Sequence, residues 1–346
     1  MESILFLAHT EADGSLGKAA LETLGTVRTL AAALGGAKFT VGLAGVQVQP
    51  GADLIAGCGA AEFLGVAGPE FGPSRYGTDA AAAEALCRAV QATIVVIPAT
   101  SRWSRVSAGL AQRLGGRVDT HVTGITAAGG TVSVSRWYYR QRMEGLLSRA
   151  QRPWLILVEP GSQPLAPVQP GTAAVRVIPV TVAESGQRTT VLGLRQPAGD
   201  AQTIRPEADL LFVAGAGWTK KQADGQPHVR EAERLILDCL KFGRASLGSS
   251  KSLVDLGGEG QAVLSFLTHL NQIGQTGATP RHPKGLATCC HGEEPHTVGW
   301  RFVNERRAIN TDPNCGWARG KADVLYVADA FAVMTRVNQL LAQGAA

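Results

Sequence analysis

The first half of the chain alternates short, wholly apolar runs with longer stretches of helical period. Ser3 to Ala8 carries Ile4, Leu5, Phe6 and Leu7 in succession and predicts a buried strand. Leu16 to Leu34 puts Leu21, Leu24, Val27, Leu30 and Leu34 on one stripe at helical spacing. Phe39 to Ala44 returns to strand character. Asp79 to Ala92 predicts an alanine-rich helix, and the β-branched run Thr93 to Pro98 a strand directly after it. Ser104 to Leu114 predicts a further helix that stops at Gly115-Gly116, as helix C-termini commonly do. Apolar strands joined by helices predict a parallel sheet with helices on both faces, because parallel strands are buried on both sides.

The rhythm then changes. His121 to Arg140 alternates around Gly129-Gly130 and predicts an antiparallel hairpin. Trp154 to Val158 and Val175 to Val182 predict two more strands. From Ala183 to Pro206 the chain is polar, apart from Val191, Leu192 and Leu194, which marks a domain linker. A new strand begins at Asp209 (DLLFVAGAG), followed by a helix from His228 to Phe242 carrying Leu235, Ile236, Cys239 and Leu240. Leu286 to Cys290, Arg307 to Asn310 and Val324 to Val327 predict further strands. A closing helix, Asp329 to Ala342, spaces Phe331, Met334, Val337 and Leu341 for one buried face. The fold class is therefore α/β in two domains. Residues 1–185 form a doubly wound, mostly parallel sheet with an antiparallel edge, 186–207 the linker and 208–346 a second α/β domain.

Composition narrows the function classes. A length of 346 residues accommodates about two ordinary domains, and 45% hydrophobic against 18% charged residues excludes global disorder. No apolar run approaches the roughly 20 residues of a membrane helix. Met1 to His9 lacks the features of a secretory signal, so a cytoplasmic, bacterial-type soluble protein is expected. The net charge of +5 comes without a Lys/Arg block, which suits small anionic ligands and gives no case for nucleic acid. Cys58, Cys87, Cys239, Cys289, Cys290 and Cys315 contain no CxxC pair, which argues against a disulfide framework or a zinc knuckle.

Four clusters carry candidate chemistry. Ala214-Gly215-Ala216-Gly217 ends a strand and reads either as a tight turn or as a close backbone approach to a phosphate. Ser249-Ser250-Lys251-Ser252 places a lysine where it contacts an anion or simply solvent. Gly274-Gln275-Thr276-Gly277 exposes backbone N–H groups and a hydroxyl in one turn. Cys289-Cys290-His291-Gly292-Glu293-Glu294-Pro295-His296 is the densest set of potential ligands. A metal is disfavoured there, since His291 and His296 are five apart and Pro295 blocks a helix carrying both.

The order of these clusters resembles the FAD-binding domain of electron transfer flavoprotein α subunits. That family shows a strand with SGGRG, then GASR-AAVDAG, QVGQTG, GISGAIQH, AINKD-P, and ADYG with ADLF before a C-terminal helix. This chain shows Ala214 to Gly217, Leu247 to Gly257 (LGSSKSLVDLG), Gln272 to Gly277 (QIGQTG), Cys289 to His296, Ala308 to Pro313 (AINTDP), Ala322-Asp323 and Ala328-Asp329, in the same order over roughly 120 residues.

The resemblance implies a Rossmann-like FAD-binding domain over 208–346. Lys251 stands where the family has an arginine over the isoalloxazine, with Ser250 beside it. Gln275 and Thr276, within Gln272, Gly274 and Gly277, stand at the ring edge. His296 stands at the pyrimidine carbonyl, on the segment holding His291 and Gly292. Asn310, Asp312 and Asp329 stand at or beside the adenosine-side positions. A cation or histidine at such a ring stabilises reduced flavin. The chain departs from the pattern at four places. The SGGRG arginine is replaced at Gly217 or Trp218, GISG reads Cys289-Cys290-His291-Gly292, the GASR arginine is Lys251, and ADYG reads Ala322-Asp323-Val324-Leu325.

The implied function is an electron-carrying α subunit. It would pair with a β subunit that often holds AMP, accept electrons from acyl-CoA or N-methyl amino-acid type flavin dehydrogenases, and pass them to a membrane iron–sulfur/quinone oxidoreductase. No catalytic residue and no metal is expected, in keeping with the lack of a Ser/His/Asp or paired-carboxylate constellation. Two alternatives stand beside it. One is a non-redox AMP- or ADP-binding module that has lost FAD, and the other is a cysteine or metal enzyme built on Cys289, Cys290, His291 and His296.

Overall fold

In a computed structural model, residues 2–138, 143–193, 204–205, 208–256, 262–274, 282–289 and 303–344 are described, apart from the side chains of residues 185, 187 and 317. The chain divides into two compact units, Met1–Gly193 and Leu194–Ala346.

The first unit runs β1 (Ile4–His9), α1 (Lys18–Ala33), β2 (Phe39–Gly45), α2 (Gln49–Leu54), β3 (Glu62–Ala67), α3 (Tyr76–Ala89), β4 (Ile94–Pro98) and α4 (Ser101–Leu114). It continues with β5 (Arg117–Ala128), β6 (Thr131–Tyr138), β7 (Met143–Ser148), β8 (Trp154–Val158) and β9 (Val175–Val177). Its sheet has the order β7-β6-β5-β8-β4-β1-β2-β3-β9. β4 and β8 are buried along their whole length, as strands covered on both faces must be. Leu24, Val27 and Leu30 of α1 pack on one face, and Leu86, Trp103, Val106 and Leu110 of α3 and α4 on the other. α4 begins at Thr100, whose Oγ1 accepts from the Trp103 N–H at 3.3 Å, and ends at Gly115 with φ 66°.

The antiparallel edge is larger than the sequence suggests. β5 and β6 turn at Gly129 and Gly130, with φ 56° and 78°, the left-handed pair a two-residue hairpin needs. β7 then adds a third antiparallel strand. The predicted Arg140 end of the hairpin lies outside the described residues. Asp119 holds this edge to the parallel core. Its buried carboxylate accepts from Arg136 Nη1 at 3.1 Å, from the Trp154 indole N–H at 2.9 Å and from Arg149.

Three predicted strands change bounds; the one expected from Arg307 begins at Val303. The run from Val175 to Val182 is strand only over β9, because Pro179 has no N–H to continue the ladder. Ile178, Val180 and Val182 still pack on the α3 and α4 side of the sheet. The strand expected from Leu286 starts earlier, at His282. Its first residues are drawn in by neighbours on both sides: Lys284 N–H donates to Asp209 O, and His282 lies opposite Val303. The sequence pattern does not predict α2, β3 or β7.

The second unit runs β10 (Leu210–Ala214), α5 (Val229–Gly243), β11 (Ser246–Ser249), α6 (Lys251–Asp255), β12 (His282–Thr288), β13 (Val303–Asn310), α7 (Gly316–Lys321), β14 (Val324–Val327) and α8 (Ala330–Gly344). Every strand pair is parallel, in the order β11-β10-β12-β13-β14. One face packs Leu235, Ile236 and Leu240 of α5 with Met334 of α8, and the other packs Val213, Ile273 and Ala308 with Ala318 of α7. Because all five strands point the same way, their carboxyl ends share one edge. The direction of the connections reverses between β10 and β12, and open α/β sheets bind ligands in the crevice outside such a point.

Candidate nucleotide site at the carboxyl edge of the second sheet

The edge is built outward from β10. The Gly215 N–H donates to Thr288 O at 2.8 Å, and the Gly217 N–H donates to Cys289 O at 3.0 Å, so the chain leaving β10 stays zipped to the end of β12. A single 3-10 turn, Ala216–Thr219, follows. It buries Trp218 against Phe331 of α8, ring centroids 4.7 Å apart, and the indole N–H donates to Thr288 Oγ1 at 2.8 Å. The position that the family's arginine or its neighbour would hold is thus a core tryptophan.

The polar stretch beyond this turn is an ordered hairpin. Lys221 and Pro227 form an antiparallel bridge, and the Gln222 N–H donates to Gln226 O at 3.0 Å. Gln222 Nε2 also donates to Gly217 O at 3.0 Å and to Lys220 O at 2.7 Å. Asp224 accepts from the Gln226 N–H at 3.0 Å and faces His228 Nε2 at 2.7 Å.

Between this hairpin and the far strands lies a cavity of about 190 Å³. Gly217, Lys220, Lys221 and Gln222 line one side, with Cys289, Ile309, Asn310, Thr311, Ala328, Asp329 and Ala330 around the rest. Asp329 caps α8, its Oδ1 accepting from the Ala332 N–H at 2.8 Å. Asn310 ends β13 and its Oδ1 accepts from the Asp312 N–H at 2.9 Å. Asp312 in turn accepts from the Asn314 N–H at 2.8 Å. Its carboxylate shapes the loop leading to α7 and lines no part of the cavity.

A second group gathers at the end of β11. Ser250 is buried and caps α6, Oγ accepting from the Leu253 N–H at 3.3 Å. Lys251 Nζ donates to Asp255, which also faces His269 Nε2 at 3.0 Å. The Lys251 hydrogen bond and, after it, that of His269 hold the Asp255 carboxyl below the usual carboxylate range. Gln272 bridges Ser249 in parallel, and the Ile273 N–H donates to Ser249 O at 3.1 Å. Gly274 follows at φ 119°, a left-handed backbone suited to glycine. Ser249 Oγ is buried with no hydrogen-bond partner among the described residues.

Cys289 follows β12 directly and lies in the left-handed region, φ 56°. Burial, reinforced by the charge of Asp329, pushes its thiol up to about 12. The corresponding position of the GISG motif is glycine, and the backbone supplies the reason: only glycine adopts this φ without cost.

The structure therefore places Asn310 and Asp329 on one cavity. Ser250, Lys251, Gln272 and Gly274 lie together at the end of β11, and Asp312 stands apart in its own loop. Gln275, Thr276, Gly277, His291, Gly292 and His296, with Cys290, lie outside the described residues. Sequence reasoning missed Lys220, Lys221 and Thr311 as cavity residues. The signal for the first two was present: a Lys-Lys pair three residues after a strand-ending GxG. Asp323, read in place of ADYG, sits at the opposite edge and accepts from the Arg306 guanidinium at 2.8 Å and backbone N–H at 2.7 Å. Among the described residues no three His, Cys, Asp or Glu side chains converge as a metal site, and no helix is long and apolar enough to cross a membrane.

Comparison with known proteins adds evidence from the other half of the chain. Residues 4–183 match the family described as electron transfer flavoprotein domain. Protein FixB of Bradyrhizobium diazoefficiens is 30% identical over 217 residues, a stretch that covers 59% of this chain and 54% of FixB. The chain thus spans little more than half the length of that relative.

Proposed function

The chain belongs to the electron transfer flavoprotein family, and on that premise we propose that it is an α-type subunit whose second unit binds FAD at the carboxyl edge of β10 to β14. The observation that carries this reading is the convergence of Asn310, Asp329 and the β10 turn on one cavity at the point where the strand order reverses. At about 190 Å³ it is smaller than the roughly 300–1,000 Å³ of whole-ligand sites, so it suits one end of a long ligand. The donor set fits the adenosine end. Asp329 spends one oxygen on its helix cap and keeps the other as an acceptor for ribose hydroxyls, a role acidic residues play in dinucleotide folds. Gly217, without a side chain, lets the backbone approach closely.

The other end of the ligand would lie over the β11 group. When bound, the flavin supplies the electron-accepting chemistry. The chain's own task is to hold it and set the charge around it. Lys251 brings a cation to the end of β11, with Ser250 and Gln272 fixing the backbone below. Asp255 offsets part of that charge. Gln275, Thr276 and His296 are assigned the ring edge and carbonyl from the resemblance. No residue need act as nucleophile or general base.

The partners follow from the family. We assign a β-type subunit in a heterodimer, which often carries AMP, a flavin dehydrogenase of acyl-CoA or N-methyl amino-acid type as donor, and an iron–sulfur/quinone oxidoreductase as acceptor. A cytoplasmic location belongs to the same proposal. The non-redox alternative, an AMP- or ADP-binding module, draws on the pairing of Lys251 with Asp255 and on the missing SGGRG arginine. One experiment separates the two. The chain is coexpressed with its partner, its absorption spectrum recorded, and the released ligand identified by mass spectrometry. Flavin bands and released FAD are expected. AMP or ADP without flavin supports the alternative, and a colourless complex after soaking in excess FAD overturns the flavin reading.

A further inference from the structure

We propose that Lys220 and Lys221 bind the phosphates of the ligand's ADP end and so supply the positive charge that this chain lost with the SGGRG arginine. The inference rests on the nucleotide reading of the carboxyl edge and assigns residues that neither the motif series nor the family match identifies.

Three observations converge on it. First, both lysines line the cavity that also holds Asn310 and Asp329. They enter from the β10 side, whereas Asp329 enters from the end of β14. Three strand spacings, about 14 Å, separate those two ends of the edge. An acceptor for hydroxyls at one end and cations at the other match the polarity of a nucleoside diphosphate.

Second, the backbone that carries the lysines is ordered. Gln222 ties the carbonyls of Gly217 and Lys220 together, and the Lys221–Pro227 bridge closes the hairpin. Little backbone entropy is therefore lost when these lysines engage an anion.

Third, the acids of the hairpin and of the first turn of α5 are committed elsewhere. Asp224 faces the Gln226 N–H and His228, and Glu231 faces His228 and Arg234. Among the described residues no ion pair forms on Lys220 or Lys221. Two exposed cations on one rim, with no carboxylate bonded to them, repel each other until an anion sits between. A lysine lacks the planar fork of arginine but serves phosphate as a point charge.

The test uses the full-length chain freed of ligand. Binding of ADP and of adenosine is followed by titration calorimetry at several salt concentrations, for the wild type and for Lys220→Ala/Lys221→Ala. Charge-assisted hydrogen bonds of this kind are each worth about tenfold in affinity. The double variant is expected to bind ADP on the order of 100-fold more weakly, with a flatter salt dependence, and to bind adenosine as the wild type does. Lys220→Arg/Lys221→Arg should keep ADP affinity, which separates charge from packing. If wild type and the alanine variant bind ADP equally, the lysine assignment fails while the nucleotide site stands. If the wild type binds neither ADP nor adenosine, the nucleotide reading fails and takes the assignment with it.

Discussion

The indole N–H of Trp218 donates to Thr288 Oγ1 at 2.8 Å, and the same hydroxyl donates to Val213 O at 3.0 Å. This pair locks the end of β10 to the end of β12, where the strand order reverses. All three groups are buried, so water cannot replace a lost partner. Thr288→Val keeps the shape but strands the indole N–H. It should cost about 1–3 kcal/mol in urea unfolding. Trp218→Phe combined with Thr288→Val should recover part of that loss, because no orphaned donor remains. A simple sum of the two single effects would refute the coupling.

Cys289 makes a second prediction. Its left-handed backbone disfavours a side chain, by roughly 1–2 kcal/mol. Cys289→Gly removes that strain but also a partly buried thiol, so stability should change by less than about 1 kcal/mol, and nucleotide affinity should hold. The thiol, pushed up to about 12, is protonated at neutral pH. Peptide mapping after iodoacetamide treatment at pH 8 should find Cys289 unlabelled in the native protein and labelled in urea. Rapid native labelling would contradict the burial.

His9 sets a pH dependence for the first unit. Burial, followed by the charge of Arg102, lowers its pKa from 6.5 to about 4. Its Nδ1 is buried without a hydrogen-bond partner among the described residues. The unfolded chain takes up this proton near pH 6.5, and the folded chain only near pH 4. Stability from the neutral ring is therefore complete above pH 6.5 and is lost as pH falls toward 4, by about 3 kcal/mol. His9→Gln should lack this loss. Parallel urea curves for the two proteins from pH 7 to 4.5 would show an unchanged difference if the ring does not titrate as stated.

The pairing of Lys251 with Asp255 bears on the flavin. Asp255→Asn removes one negative charge from the lysine beside the proposed ring position. An exposed pair is worth on the order of 0.5 kcal/mol, which corresponds to roughly 10 mV for a two-electron couple. The potential of the bound flavin should move positive by about that amount, and Lys251→Met should move it the other way. Spectroelectrochemistry with unchanged potentials in both variants would remove Lys251 from the ring.

Much of the architecture was legible because burial writes itself into the chain. The runs ILFL, IVVIP and WLILV are apolar at every position since parallel strands have no wet face, and the α5 and α8 stripes follow from helical period. α2, β3 and β7 carry no such signal. α2 is six residues long, and β7 lies at the sheet edge with four of its six residues exposed and none buried, which erases the contrast that marks a strand.

The candidate site divides in the same way. Motif order in the sequence, through its resemblance to the flavoprotein family, groups Asn310, Asp329, Ser250 and Lys251 in one series. Only the tertiary structure decided that Asn310 and Asp329 share a cavity while Asp312 is spent on its own turn. Likewise it placed Lys220 and Lys221 on that cavity and gave Lys251 a carboxylate partner. The physical reason is that local pattern reports what each residue does to its own strand or helix. Which strand ends become neighbours depends on the β11-β10-β12-β13-β14 order, set by packing between segments far apart in the chain.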